Sequence, residues 1–184
     1  VVFGASTLGQ RALYRAPSDG SSAAEALFPP ITTPIGLHGI TGANVVWSTV
    51  VGTSWQLHSV PLAGGTPVLL SPPPFDTGSA GLVLHPGGAD TVFRAQGGTP
   101  GMMRVFATAL DGLTPPRLLS GPLIEAGDVL DFALGDGGQA VAYRADATNN
   151  ESFELFGVPF AGGPVARLSP PLAPGPVLGD VEEF

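Results

Sequence analysis

Apolar residues gather along this chain in short runs of roughly four to eight, broken by Gly, Pro and Asp, with a period near two. No window keeps a 3.6-residue apolar period over three turns, and Pro recurs too often for long helices. The pattern predicts many short strands, and the strands come in sets. Residues 56–72 read QLHSVPLAGGTPVLLSP and residues 154–170 read ELFGVPFAGGPVARLSP. Two looser copies exist: VFATALDGLTPPRLLS from Val105, and LYRAPSDG from Leu13 followed by EALFPP. Leu13, Leu57, Val105 and Leu155 align, at spacings of 44, 48 and 50 residues. Upstream of each copy stands a second run: VVFGAS at Val1, VVWSTV at Val45, TVFRAQ at Thr91 and AVAYRA at Ala140. A third precedes three of these: IGLHGITG at Ile35, AGLVLHPGG at Ala80 and VLDFALGDGG at Val129.

Each unit therefore holds four strands joined by turns, several of them Gly-Gly or Asp-Gly pairs, which supply the positive φ that tight hairpins require. A meander of four strands repeated every 44–50 residues is the blade of a β-propeller. The expected fold is an all-β propeller with four blades per chain, and an irregular β-sandwich is the plainer alternative. The repeats fall at approximately 1–34, 35–79, 80–126 and 127–178, with 179–184 left over.

The two ends sharpen the count. The chain opens in a VVF-type run, the second strand of a blade, and closes on GDVEEF (179–184), which mirrors GDVLDF (127–132) at the start of the fourth unit's first strand. The strands number three, then four, four and four, then one. Asp180, Val181, Glu182, Glu183 and Phe184 are thus a candidate assembly strand, expected to pair with Val1, Val2 and Phe3 and complete the first blade. The strand would close a ring within one chain, join two copies, or pass onward into a filament. The plain alternative is a piece of a longer propeller.

Composition narrows the partners. Net charge is −8, and all seven basic residues are dispersed arginines, which argues against nucleic acid and anionic membrane surfaces. There is no cysteine, so disulfides and thiolate chemistry are excluded. No apolar run approaches the roughly 18 residues of a membrane span. Without an initiator Met or a signal pattern, the chain reads as processed or a fragment, with an extracytoplasmic location (periplasm, cell surface or medium) expected.

Candidate chemistry is sparse. His38 and His85 occupy first strands and His58 a third strand, without metal spacing or recurring acids. Ser6 in GASTLG lacks the second Gly of a nucleophile elbow. Asp128 and Asp131, with Asp180 and Glu183, recur as pairs on opposite strand faces, which suits a structural role better than paired acid–base work. The polar stretch ADATNNES (145–152) places Asp146, Thr148 and Asn150 loosely as calcium oxygen ligands, but lacks the mid-loop Gly and bidentate Glu, so an ordinary hairpin loop is the preferred reading. Asn150-Glu151-Ser152 also fits the N-glycosylation triplet. Trp47, Trp55 and Phe75 could stack sugars if exposed, with Trp47 expected in the core. No catalytic residue and no cofactor is expected.

The units Trp47…Leu57–Gly65…Leu69-Leu70-Ser71 and Phe153–Phe156…Ala161-Gly162-Gly163…Arg167-Leu168-Ser169 resemble TolB-type, WD40-like propeller repeats. Leu134–Gly138 and Leu84–Gly88 stand where that family often has Ser-Pro-Asp-Gly. The resemblance implies a blade and leaves the activity open. The expected function is a non-catalytic exported scaffold that binds a protein partner or other copies of itself. The alternatives are an accessory propeller of a larger hydrolase or peptidase, and a glycan- or calcium-binding lectin-like propeller.

Overall fold

In a computed structural model of the 184-residue chain, the described residues are 1–72, 75–76, 81–150, 152–170, 172 and 181. They form antiparallel sheets that follow one another in chain order. The first holds β1 (Val2–Thr7), β2 (Gln10–Arg15) and β3 (Glu25–Ala26). The second holds β4 (Ile35–Thr41), β5 (Asn44–Val51), β6 (Ser54–Pro61) and β7 (Val68–Leu69). In the third, β8 (Phe75–Asp76) and β9 (Leu82–Leu84) share one edge of β10 (Asp90–Gly97), followed by β11 (Met103–Ala109) and β12 (Arg117–Leu118). The fourth holds β13 (Val129–Gly135), β14 (Ala140–Ala145), β15 (Glu154–Pro159) and β16 (Ala166–Arg167). A 3₁₀ turn at Asp136–Gly138 is the helical element among the described residues. The first sheet has three rows and each of the others four, as the repeat pattern predicts.

One strand departs from the repeat boundaries read in the sequence. Phe75–Asp76 lies within 35–79, yet it pairs with Gln96 and Gly97 of the third sheet. The Phe75 ring meets Phe106 edge-on, with centroids 4.9 Å apart, and this packing draws the segment forward. Asp76 Oδ1 in turn accepts from the Trp55 N–H of the second sheet at 3.0 Å, so the strand bridges the two.

Three apolar clusters organise the described residues, one at each junction of consecutive sheets. Leu13, Leu27 and Phe28 of the first repeat meet Val45, Trp47 and Val60 of the second. Val46, Leu57 and Leu70 meet Phe93, Ala95 and Phe106. Val92, Val105 and Leu119 meet Val141, Tyr143 and Phe156. Both faces of the middle sheets are thereby used, which is why β5 and β10 read as nearly continuous apolar runs rather than strict alternation. Each sheet also carries one stacked cross-strand ring pair: Phe3–Tyr14, Trp47–His58, Phe93–Phe106 and Tyr143–Phe156, at 5.7, 4.4, 5.9 and 5.5 Å between centroids.

Polar contacts register the sheets. Ser71, Ser120 and Ser169 each accept through Oγ from the backbone N–H of Leu57, Val105 and Leu155, so the recurring serine fastens the short outer strand. Successive inner hairpins touch as well. Thr41 Oγ1 donates to His85 O at 3.1 Å, and His85 Nε2 lies 3.0 Å from Gly138 O. Gly42 meets Gly88 so closely that a Cβ on Gly42 would stand 2.6 Å from the Gly88 carbonyl oxygen, and both glycines hold positive φ.

Candidate interaction surface

The histidines take up separate structural posts. His38 is the extra residue of a bulge in β4 and meets Ser48 Oγ at 3.0 Å, and burial lowers its pKa. His58 is stacked under Trp47, and burial pulls it down to about 4, so it is neutral at pH 7. His85 accepts from Gly87 N–H through Nδ1 at 3.0 Å, which assigns the proton to Nε2 facing Gly138 O. Among the described residues no three His, Asp or Glu side chains converge as metal ligands. Trp47 is 2% exposed between Phe28 and His58, and Phe75 lies against Phe106. Ser6 sits on β1 opposite Arg11.

The loop 145–152 is tied to its own sheet. Asp146 is buried, and its Oδ1 accepts from the Asp128 N–H. With its amide oriented to satisfy both ends, Asn150 Nδ2 donates to Asp146 Oδ2 and Ala126 O at 3.2 and 3.3 Å. Thr148 Oγ1 donates to Glu154 Oε2 at 2.9 Å, while Arg167 Nη1 donates to Glu154 Oε1 at 2.7 Å. A glycan on Asn150 Nδ2 would therefore remove at least one of these two donated hydrogen bonds. Of the recurring acids, Asp128 and Asp131 have partners too. Asp128 Oδ1 accepts from Met103 N–H, and Asp131 forms a two-pronged pair with Arg144.

What the geometry leaves open lies at the ends of the arc. Every residue of β1 after Val2 is exposed, whereas β5, the same strand of the second repeat, buries Val45 through Thr49. β1 pairs with β2 along one edge, and no described strand pairs along the other. A cavity of about 470 Å³ lies between the first and second sheets at the start of β1, lined by Val1, Val2, Ala16, Pro17, Ile40 and Leu62. Arg15 and Glu25 stand on its rim. The Arg15 guanidinium binds Glu25 Oε2 at 2.7 Å and Leu62 O at 3.0 Å, leaving the apolar floor uncovered. A smaller hollow of about 230 Å³ follows β1 past Gly4, Ser6 and Ile35. In the later repeats, this side of the second strand is covered by an inner row.

At the other end, the described part of the candidate assembly strand is Val181; Asp180, Glu182, Glu183 and Phe184 lie outside the described residues. Val181 N–H donates to Phe153 O at 2.9 Å, and its carbonyl accepts from Arg144 Nη1 at 2.6 Å. The second contact repeats one made a blade earlier. Arg94 Nη1 donates to Val129 O at 2.8 Å and also to Leu130 O. Arg94 and Arg144 follow the aromatic residue of TVFR and AYR, while Val129 and Val181 are the third residues of GDVLDF and GDVEEF. Val181 thus stands to the fourth sheet as Val129 stands to the third. Burial lowers the Arg94 pKa, while Asp128 and Asp131 act in the opposite direction. The arginine contact escapes a reading by strand pattern because it joins neighbouring blades. Its signal in the sequence was the shared Arg after the aromatic.

No protein-family model and no curated protein matches the sequence. Solved structures do match. The TolB protein of Agrobacterium tumefaciens superposes with a TM-score of 0.55 at 18% identity, over 88% of this chain and 57% of its own. TolB from Acinetobacter baumannii gives 0.51 at 16% identity, over 86% of this chain and 37% of its own. A prolyl endopeptidase gives 0.57 at 18% identity, over 90% of this chain and 26% of its own. This chain spans 57% or less of each of these proteins. The likeness shows the fold, a β-propeller.

Proposed function

We propose that this TolB-like propeller arc is a non-catalytic, extracytoplasmic scaffold that holds a protein partner at the open edge of its first sheet. One observation carries the reading. β1 has the exposure of an edge although its counterparts in the other repeats are covered, and the cavity at its start is largely apolar. An extended segment adding to that edge would hydrogen-bond to unpaired backbone groups while its side chains filled the hollow, the mode of strand addition. The strand best matched to the site is the chain's own 180–184 sequence, whether from the same copy or another, because it repeats the opening of an inner row. The test is a titration of the hexapeptide GDVEEF onto the full chain, followed by amide NMR shifts. Shifts centred on Val2–Thr7 are expected. No shift there at millimolar peptide overturns strand addition at this edge.

A second reading is favoured by the likeness to a prolyl endopeptidase, whose chain is much longer than this one. In that reading the arc is the accessory propeller of a larger hydrolase. A hydrolase signature elsewhere in the parent gene would support it, and turnover by the arc itself would overturn the non-catalytic assignment.

A further inference from the structure

Two arginines hold the same place in successive sheets and are served differently. Tyr143 pairs with Phe156 and Phe93 with Phe106, so Arg144 and Arg94, each next along its strand, are equivalents. Each sends Nη1 to backbone carbonyls later in the chain, Arg144 to Val181 O and Arg94 to Val129 O and Leu130 O. They part at the other edge of the guanidinium. Arg144 Nε donates to Asp131 Oδ1 at 2.8 Å and its Nη2 to Asp131 Oδ2, a two-pronged pair with the residue opposite it in the ladder. Arg94 Nε is buried and has no acceptor, and no described residue accepts from its Nη2.

One residue makes the difference. Leu82 stands opposite Phe93 as Phe132 stands opposite Tyr143, and the Arg94 N–H donates to Gly81 O at 3.0 Å. Gly81 therefore takes in the third sheet the place that Asp131 has in the fourth. An acid could not stand there without moving a ring. Gly81 holds φ +41°, and a Cβ on it would lie 2.9 Å from Phe132 Cε1. The preceding residues 77–80 read TGSA and carry no carboxylate, while Asp76 Oδ1 is engaged by the Trp55 N–H. Where the side chain is missing there is a cavity of about 160 Å³, lined by Gly81, Val83, Arg94, Leu130, Asp131 and Phe132. Gly81 and Leu130 are exposed at its mouth. The volume is well below the roughly 300 Å³ of a small-molecule pocket, so the cavity has room for one functional group and its stem.

We propose that this cavity is a carboxylate-binding site, in which Arg94 Nε and Nη2 hold the two oxygens of a ligand's carboxylate as Arg144 holds Asp131. The parallel N–H donors of a guanidinium match that geometry, and a buried donor without an acceptor is costly until one arrives. Asp128 and Asp131 both act on Arg94 electrostatically, although Arg144 already balances Asp131. Their charge disfavours a phosphate dianion and keeps affinity for a carboxylate weak, with a dissociation constant on the order of 1 mM. The group is carried by an acidic side chain of a partner peptide or by a small free carboxylate. The site lies between the third and fourth sheets and is independent of the open edge of β1.

The test is NMR of the arginine Nε–H groups and backbone amides of the full chain, titrated with acetate, with acetyl-Gly-Glu-Gly amide, and with chloride at matched ionic strength. A saturable shift of Arg94 Nε–H and of the Gly81 amide is expected with the carboxylates, while Arg144 Nε–H, already engaged by Asp131, stays in place. A stronger response to the peptide than to acetate assigns the group to an acidic side chain, and the reverse order assigns it to a small carboxylate. Arg94→Lys keeps the charge but loses the two-donor edge, and should weaken the response at Gly81 about tenfold or more. Silence at Arg94 towards both carboxylates overturns the proposal. So does a drift that is unsaturated, shared by Arg144 or reproduced by chloride, which would mark an adventitious ion only. These readings come from the unmodified chain and stand whether or not the variant folds.

Discussion

Leu119 and Leu168 occupy the same place in successive repeats, make the same backbone bond, and differ in exposure by 3% against 55%. Phe3 and Trp47 make the same comparison from the other side of the blade, at 39% against 2%. The local conformation is written into each repeat, so the outer strand forms in the fourth sheet as it does in the third. Burial depends on the neighbouring sheet, which packs on Leu119 and has no described counterpart on Leu168. A repeat of this kind cannot hide its own faces, and stability accrues junction by junction.

The largest expected effect tests that contrast. Leu119→Ala should cost about 2–5 kcal/mol, because it opens a cavity between the third and fourth sheets. Leu168→Ala in dilute, unassociated chain should change stability by no more than about 0.5 kcal/mol, as at other exposed sites. Urea midpoints of the two variants measure the difference, and equal losses would mean that Leu168 is covered within a single copy.

Next in size are the serine clasps. Ser71→Ala leaves the Leu57 N–H without its side-chain acceptor in a fully buried setting and should cost about 1–3 kcal/mol. Ser169→Ala removes the equivalent bond to Leu155 at the uncovered face, where water can replace it, and should cost clearly less. Thermal melting of both variants orders them.

Acid should act on the second sheet specifically. Burial holds His58 to about 4, against 6.5 for the exposed group. Below pH 6.5 the unfolded chain takes up a proton that the folded chain resists, so this contribution is complete above 6.5 and declines as pH falls towards 4. His38 shifts in the same direction for the same reason. His58→Phe keeps a ring under Trp47 and should flatten the stability profile over that window, as read by denaturant midpoints between pH 4 and 7.

The smallest effect belongs to the β1–β2 turn. Leu8 holds φ +53° and is 99% exposed, an unfavourable conformation for a bulky residue with no packing to offset it. Leu8→Asn should stabilise the chain by up to about 1 kcal/mol, visible as a small rise in melting temperature.

Much of this architecture was legible in the sequence. The recurrence of LHSVP, AGG and LLS located the blades, and the VVF opening predicted a first sheet of three rows, the number found among the described residues. Trp47 was placed in the core by its apolar neighbours. The attachment of Phe75–Asp76 to the third sheet was not legible, because it is decided by the Phe75–Phe106 contact between repeats rather than by the pattern within one. The arginine contacts of Arg94 and Arg144 were hidden for the same reason. The loop residues Asp146, Thr148 and Asn150 are spaced loosely as oxygen ligands, with an ordinary hairpin loop the preferred reading; their partners Asp128, just before β13, and Glu154, at the start of β15, are not brought near by spacing alone. The unequal burial of Leu119 and Leu168 was invisible too, since both stand before a serine in nearly the same words.

Amide hydrogen exchange on the full chain, with and without the peptide GDVEEF, tests most directly whether the open edge of the first sheet takes an added strand. Strand addition predicts that protection rises along Val2–Thr7, while β5 and β10 stay unchanged. Protection along Val2–Thr7 that ignores the peptide would contradict it.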